Sequence, residues 1–114
     1  MTNDLQNPES QPLLKVNREQ FLDGLHLVKK IKGLGRKPVA FSFSDGQLSV
    51  QFPDLTFRAD AEGQWNGKAS VPITFLRDLA KEPPLGNGPL TIAVDGGKIR
   101  ISVRSHSCDW EDAD

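Results

Sequence analysis

Residues 39–52 read VAFSFSDGQLSVQF, and the pattern of this stretch decides the fold. Val39, Phe41 and Phe43 alternate with Ala40, Ser42 and Ser44. Successive side chains of a strand point to opposite faces, so this period of two predicts a half-buried strand. Asp45-Gly46 then supplies two residues that tolerate positive φ, the requirement of a tight hairpin turn. Leu48, Val50 and Phe52 resume the alternation on a returning strand. Leu55, Phe57 and Ala59, spaced by Thr56 and Arg58, extend the hairpin to a three-stranded antiparallel meander.

Toward the N-terminus the period changes. Pro12 to Asn17 reads as a short strand, and Asn17 stands where a helix N-cap should, with Gln20 at the capping-box position. Phe21, Leu22, Leu25, Val28 and Ile31 recur at three and four residues and predict a helix. Gly33 and Gly35 end it, and Pro38 prevents its resumption. Met1 to Gln11 is polar apart from Leu5 and is expected to form a flexible arm.

Toward the C-terminus the same order returns. Gln64 to Val71 is strand-like, and Pro72 suits a first helical turn. Ile73, Phe75, Leu76, Leu79 and Ala80 make a short helix that Pro83-Pro84 terminates. Leu90, Ile92 and Val94 form a strand, Asp95-Gly96-Gly97 a turn, and Ile99, Ile101 and Val103 the return. Ser105 to Trp110 suits a third, edge strand, and Asp109 to Asp114 an acidic tail. Laid over each other, the halves match: Asp45-Gly46 falls 50 residues before Asp95-Gly96, and Val16, Phe21 and Leu25 parallel Val71, Phe75 and Leu79. The expectation is one domain over residues 12–108, with halves at about 12–60 and 64–108.

Composition bounds what such a domain does. The 114 residues suit one domain and carry 14 Lys plus Arg against 15 Asp plus Glu. A net charge of −1 excludes a wholesale basic coat but not a local basic face. One cysteine, Cys108, excludes an internal disulfide. No run approaches the roughly 20 apolar residues of a membrane span, and the N-terminal residues lack the apolar core of a signal peptide. The expectation is therefore a cytoplasmic chain that uses no membrane.

A β-α-β-β-β unit occurring twice in about 100 residues resembles the DNA sliding-clamp superfamily, most closely a domain of the bacterial DNA polymerase III β subunit. The likeness is carried by Val16-Asn-Arg-Glu-Gln-Phe-Leu22, the strands around Asp45-Gly46, the run Trp65 to Leu79, and the closing hairpin Pro89 to Val103. It spans roughly residues 12 to 108. The resemblance implies an α+β, DNA-clamp-like fold of two β-α-β-β-β pseudo-repeats, with two helices packed on one side of an antiparallel sheet. In that family the helices face a central hole, the sheets form the outer wall, and the sheet edges join the ring. A ring takes six such domains, so one-domain chains would close it as a hexamer of six times 12.6 kDa, 75.6 kDa.

The chemistry-bearing candidates follow. Lys29, Lys30, Lys32, Arg36 and Lys37 put five positive charges in nine residues, and Arg77 and Lys81 add two on the second helix. Of these, Lys29, Lys30, Lys32, Arg77 and Lys81 are the expected backbone contacts to double-stranded DNA, independent of sequence. The plainer reading is that they complement helix dipoles, diluted by Asp23 and Asp78. Trp110, flanked by Asp109, Glu111 and Asp112, is either a partner-docking motif, a self-docking edge strand, or a frayed end. His106 and Cys108 share a strand face, but a structural metal site needs four ligands, so no metal and no cofactor is expected. No nucleophile elbow, Walker loop or HExxH is present, which argues against an enzyme. Free sheet edges predict self-association unless charges or Pro53 and Pro89 blunt them. The leading expectation is a non-catalytic domain that associates with DNA or with replication or repair proteins. The alternative is an interaction or inhibitor module with the same fold and no DNA.

Overall fold

The computed structural model describes residues 11–30, 37–53 and 55–112. Lys32, Arg36, Ile31 and the two helix-ending glycines Gly33 and Gly35 lie outside the described residues, as do most of the N-terminal arm and Ala113-Asp114. The described residues fold as α+β, with two helices and a nine-stranded sheet in which every pairing is antiparallel.

The elements follow in chain order. β1 is Leu13–Val16, α1 Arg18–Lys30, β2 Pro38–Ser44, β3 Gln47–Phe52 and β4 Leu55–Gln64. β5 is Gly67–Pro72, α2 Ile73–Lys81, β6 Leu90–Asp95, β7 Lys98–Ile101, β8 Arg104–Ser107 and β9 Asp109–Asp112. Across the sheet the strands lie in the order β8-β7-β6-β1-β4-β3-β2-β5-β9. β1 therefore sits between β4 and β6, and β5 sits between β2 and β9. β4 changes neighbour along its length: residues 55–60 pair with β3, residues 61–64 with β1. β8 and β9 divide the same work, β8 pairing with β7 and β9 with β5. The two ends of the strand order are thus joined in the chain by the single residue Cys108.

The expected alternation holds where it was clearest. In β3, Leu48, Val50 and Phe52 are buried while Gln47 and Gln51 face solvent. Asp45 and Gly46 have φ of 53° and 76°, the doubly positive turn that matches the twist of a hairpin. The second hairpin turns on Gly96 and Gly97, at φ 61° and 78°, and Asp95 belongs to the end of β6. The second hairpin therefore turns one position later than the expected Asp95-Gly96.

One apolar cluster runs through both halves, from Leu14 and Phe21 to Ile92 and Ile101. α1 packs against α2 and β4. The contact with β4 centres on Gly24, where any Cβ would collide with the Phe57 ring. Phe57 in turn meets Phe21 edge-on, with centroids 5.8 Å apart.

Four expectations are corrected. Gln20 does not close a capping box: Asn17 Oδ1 accepts from the Gln20 N–H at 2.9 Å, but the Gln20 side chain turns to Asp60 instead. Pro72 is the N-cap of α2 rather than its first turn, at φ −65° and ψ 144°. Asp109–Asp112 is not a tail but a sheet strand, so the described domain runs through 112 rather than ending at 108. Pro53 and Pro89 blunt no edge, since Pro53 lies in the β3–β4 turn and Pro89 in the loop before β6.

Candidate functional site

The helix pair carries the basic candidates. Lys29 and Lys30 end α1 and Lys81 ends α2, where cations complement the helix dipole, and all three are exposed. Arg77 is half-buried, and Lys37 is exposed just before β2. Asp23 on α1 and Asp78 on α2 are exposed among them. Arg18 is engaged structurally, donating to the carbonyl oxygens of Pro84 at 3.1 Å and Gly88 at 2.8 Å, which ties the loop after α2 to the start of α1.

Between α2 and β8 lies an open cleft of about 660 Å³ lined by Phe75, Asp78, Lys81, Glu82, Arg104 and His106. Arg104 Nη2 stands 2.8 Å from Glu82 Oε1, and the His106 ring stacks obliquely on Phe75 at 5.3 Å. His106 Nδ1 donates to the carbonyl oxygen of Ser107 at 2.8 Å. Cys108 is half-buried one residue further on, and burial, then the charge of Asp109, pushes its thiol above the usual range. Among the described residues no group of three or more His, Cys, Asp or Glu side chains is placed to hold a metal. No helix there is long and apolar enough to cross a membrane.

The third candidate, Trp110, is where the structure adds most. β9 pairs in register with β5: Gly67 with Asp112, Lys68 with Glu111, Ala69 with Trp110, Ser70 with Asp109. The Trp110 indole meets Trp65 edge-on, with centroids 5.4 Å apart, and its Nε1 donates to Asp112 Oδ1 at 2.8 Å. Trp65 is buried, and its Nε1 donates to the carbonyl oxygen of Phe41 at 3.1 Å. Gly67 is what lets the indole in, because a Cβ there would stand 2.6 Å from Trp110 Cζ2 and collide with the Glu111 carbonyl. Lys68 Nζ is 3.9 Å from Glu111 Oε1. Sequence reasoning singled out Trp110 but missed Gly67, Trp65 and Lys68: Gln64 to Val71 reads as one strand, whereas β4 ends at Gln64 and β5 begins at Gly67. The only sequence signal for the site was a tryptophan among carboxylates, an unusual residue to leave in water.

No protein-family model matches the chain, and no curated protein and no solved structure matches it significantly.

Proposed function

We propose that this chain is a non-catalytic, clamp-like domain that works by association, and that its α1–α2 surface meets the backbone of double-stranded DNA or a replication or repair protein. The observation behind this reading is the exchange of first strands. β1 lies beside β6 of the second half, β5 lies beside β2 of the first, and each half's hairpin closes on a strand shared with the other half. That exchange is what two β-α-β-β-β units related by an approximate two-fold axis require, and it sets the two helices side by side. Lys29, Lys30 and Lys81 then offer three exposed cations on neighbouring helices, without the rigid donor pairs that reading bases takes.

Three phosphate contacts predict weak, salt-sensitive binding, with log K falling by about 3 per tenfold rise in salt, since each contact contributes roughly 0.9. Fluorescence anisotropy with a duplex of arbitrary sequence at low salt tests this. Affinity that disappears in the Lys29→Glu, Lys30→Glu, Lys81→Glu variant supports the reading, and no affinity at low salt sinks it. Light scattering on the same samples reads assembly, a hexamer weighing six times 12.6 kDa, 75.6 kDa.

A further inference from the structure

We infer that the edge of β5 is a receptor for an extended acidic peptide with a central aromatic residue, and that β9 is its resident occupant, which such a peptide displaces. This site uses none of the helix lysines and stands independently of the DNA reading.

The receptor is built by residues outside β9. Gly67 leaves room for an indole, Trp65 supplies the ring that it meets at a near right angle, and Lys68 faces a carboxylate. On the edge away from β2, four residues of β5, Gly67 to Ser70, pair with the four residues of β9. Strand addition of this kind draws affinity from main-chain hydrogen bonds and specificity from alternate side chains. In β9 the alternate side chain is Trp110, and its neighbours Asp109, Glu111 and Asp112 are all exposed acids. The occupant's chemistry therefore states the chemistry of what the site accepts: an aromatic on one face of the strand with a carboxylate two residues on to take its indole N–H, and a carboxylate on the other face opposite Lys68.

Two features make the occupant replaceable. β9 pairs only with β5 among the described strands, and apart from Trp110 its residues are exposed. Short elements with few buried contacts open most readily. The receptor is also longer than its occupant. β5 continues past Ser70 to Val71 and Pro72, beside a cavity of about 300 Å³ lined by Pro38, Val71, Pro72 and Ser107 as well as Cys108 and Asp109. At the other end of β9 a cleft of about 560 Å³ opens among Pro12, Phe43, Gln64, Trp65 and Trp110. A strand longer than four residues reaches into both spaces, which β9 leaves unfilled. Such reach is needed, because a tethered strand competes at an effective concentration of order millimolar.

The test uses the full chain and a fluorescein-labelled peptide with the sequence of residues 107–114 carrying Cys108→Ser. The apparent dissociation constant equals the intrinsic one divided by the fraction of open receptor. Weakening the resident strand should therefore tighten binding in trans. We expect the Trp110→Ala chain to bind the peptide at least tenfold more tightly than wild type, and Lys68→Glu added to it to reverse most of that gain. A peptide with alanine for its tryptophan should not bind. Should Trp110→Ala fail to fold, Glu111→Lys replaces it: this turns the ion pair with Lys68 into a repulsion and touches no buried atom. No saturable binding to a folded variant, or equal binding to variant and wild type, overturns the inference. So does a wild-type dimer that Trp110→Ala abolishes, because the occupant would then be the β9 of a second copy.

Discussion

The molecule has two places where a strand passes from one neighbour to another, and they are built differently. In the first, β4 leaves β3 for β1 at Asp60–Ala61 without a break. Five hydrogen bonds seal this passage. Asn17 N–H donates to the Asp60 carbonyl at 2.8 Å and Ala61 N–H to that of Gly46 at 2.9 Å. Gln20 Oε1 accepts from Asp60 N–H at 2.6 Å, and the side-chain amides of Gln20 and Gln47 donate to the Asp60 carboxylate at 3.3 and 3.1 Å. In the second, the chain leaves β7 for β5 at Cys108, and among the described residues only the counterpart of the Ala61 bond survives, from Cys108 N–H to the Gly97 carbonyl at 2.9 Å. Pro72 stands before α2 where Asn17 stands before α1. It has no N–H to give and makes no side-chain cap. The second passage therefore stays open, with the 300 Å³ cavity beside it. Four of the five bonds of the sealed joint thus have no counterpart among the described residues of the second, one of them because Pro72 lacks an N–H.

This contrast can be broken at its strongest point first. Phe57→Ala removes the ring that bridges α1 to the sealed half, and a buried phenylalanine truncated to alanine costs about 3–5 kcal/mol. Urea unfolding should show that loss. A variant that loses less than about 1 kcal/mol would mean that the Gly24 contact does not anchor α1. Asn17→Ala comes next, because it deletes the α1 cap and should cost about 1 kcal/mol. Pro72→Asn should move the other way. It restores an N–H and a cap worth about 1 kcal/mol, and about half of that is returned through the freer unfolded chain. A small net gain is expected, with weaker peptide binding as the cavity closes. A net loss would show that the two passages are not equivalent.

The sequence made the hairpins legible because alternation and Asp-Gly turns are local signals: the Asp45-Gly46 turn survives in the fold, whereas the second hairpin turns on Gly96-Gly97 and Val103, expected in its return strand, is exposed beyond the end of β7. What it hid was decided by residues far apart. Asp95-Gly96-Gly97 offers two possible turns, and only the register of Ile99 against Val94 selects Gly96-Gly97. Gln20 is placed for a capping box, yet Asp60, 40 positions away, offers it both a backbone donor and a carboxylate. β9 was legible only in part: a single edge strand was expected over Ser105 to Trp110, where the structure has β8 and β9 divided at Cys108. Three of its four residues are acidic and poor strand formers. It is a strand because β5 presents an edge and Gly67 admits an indole, and nothing local to residues 109–112 announces either. The basic helix ends were legible as charges, and so were Asp23 and Asp78 beside them, which share their exposure.

Cys108, the hinge of the open passage, gives a pH dependence with a definite sign. Burial and Asp109 raise its pKa in the folded chain, so the unfolded chain ionises first. The stability this thiol contributes is whole below the ordinary thiol range and is lost as pH rises through the folded pKa. Urea midpoints of wild type should therefore fall further than those of Cys108→Ala between neutral and alkaline pH. Identical profiles would mean that the thiol is as hydrated as in the unfolded chain. Alkylation by iodoacetamide should be slower than for an exposed thiol and should quicken in Trp110→Ala, where β9 is loosened.

The smallest effect is the one that best separates holding the fold from recognising a strand. Lys68 and Glu111 are 3.9 Å apart, with side chains 50% and 76% exposed. Solvent screens such a pair, and two long side chains must be ordered to make it, so Lys68→Ala should cost less than about 0.5 kcal/mol. The same substitution removes the cation that faces an incoming carboxylate on the β5 edge. In the Trp110→Ala background it should weaken peptide binding severalfold, with the loss shrinking at high salt, while the unfolding midpoint barely moves. If midpoint and affinity fell together, Lys68 would be holding β5 in place. The open passage would then differ from the sealed one in strength alone, and not in what it is able to receive.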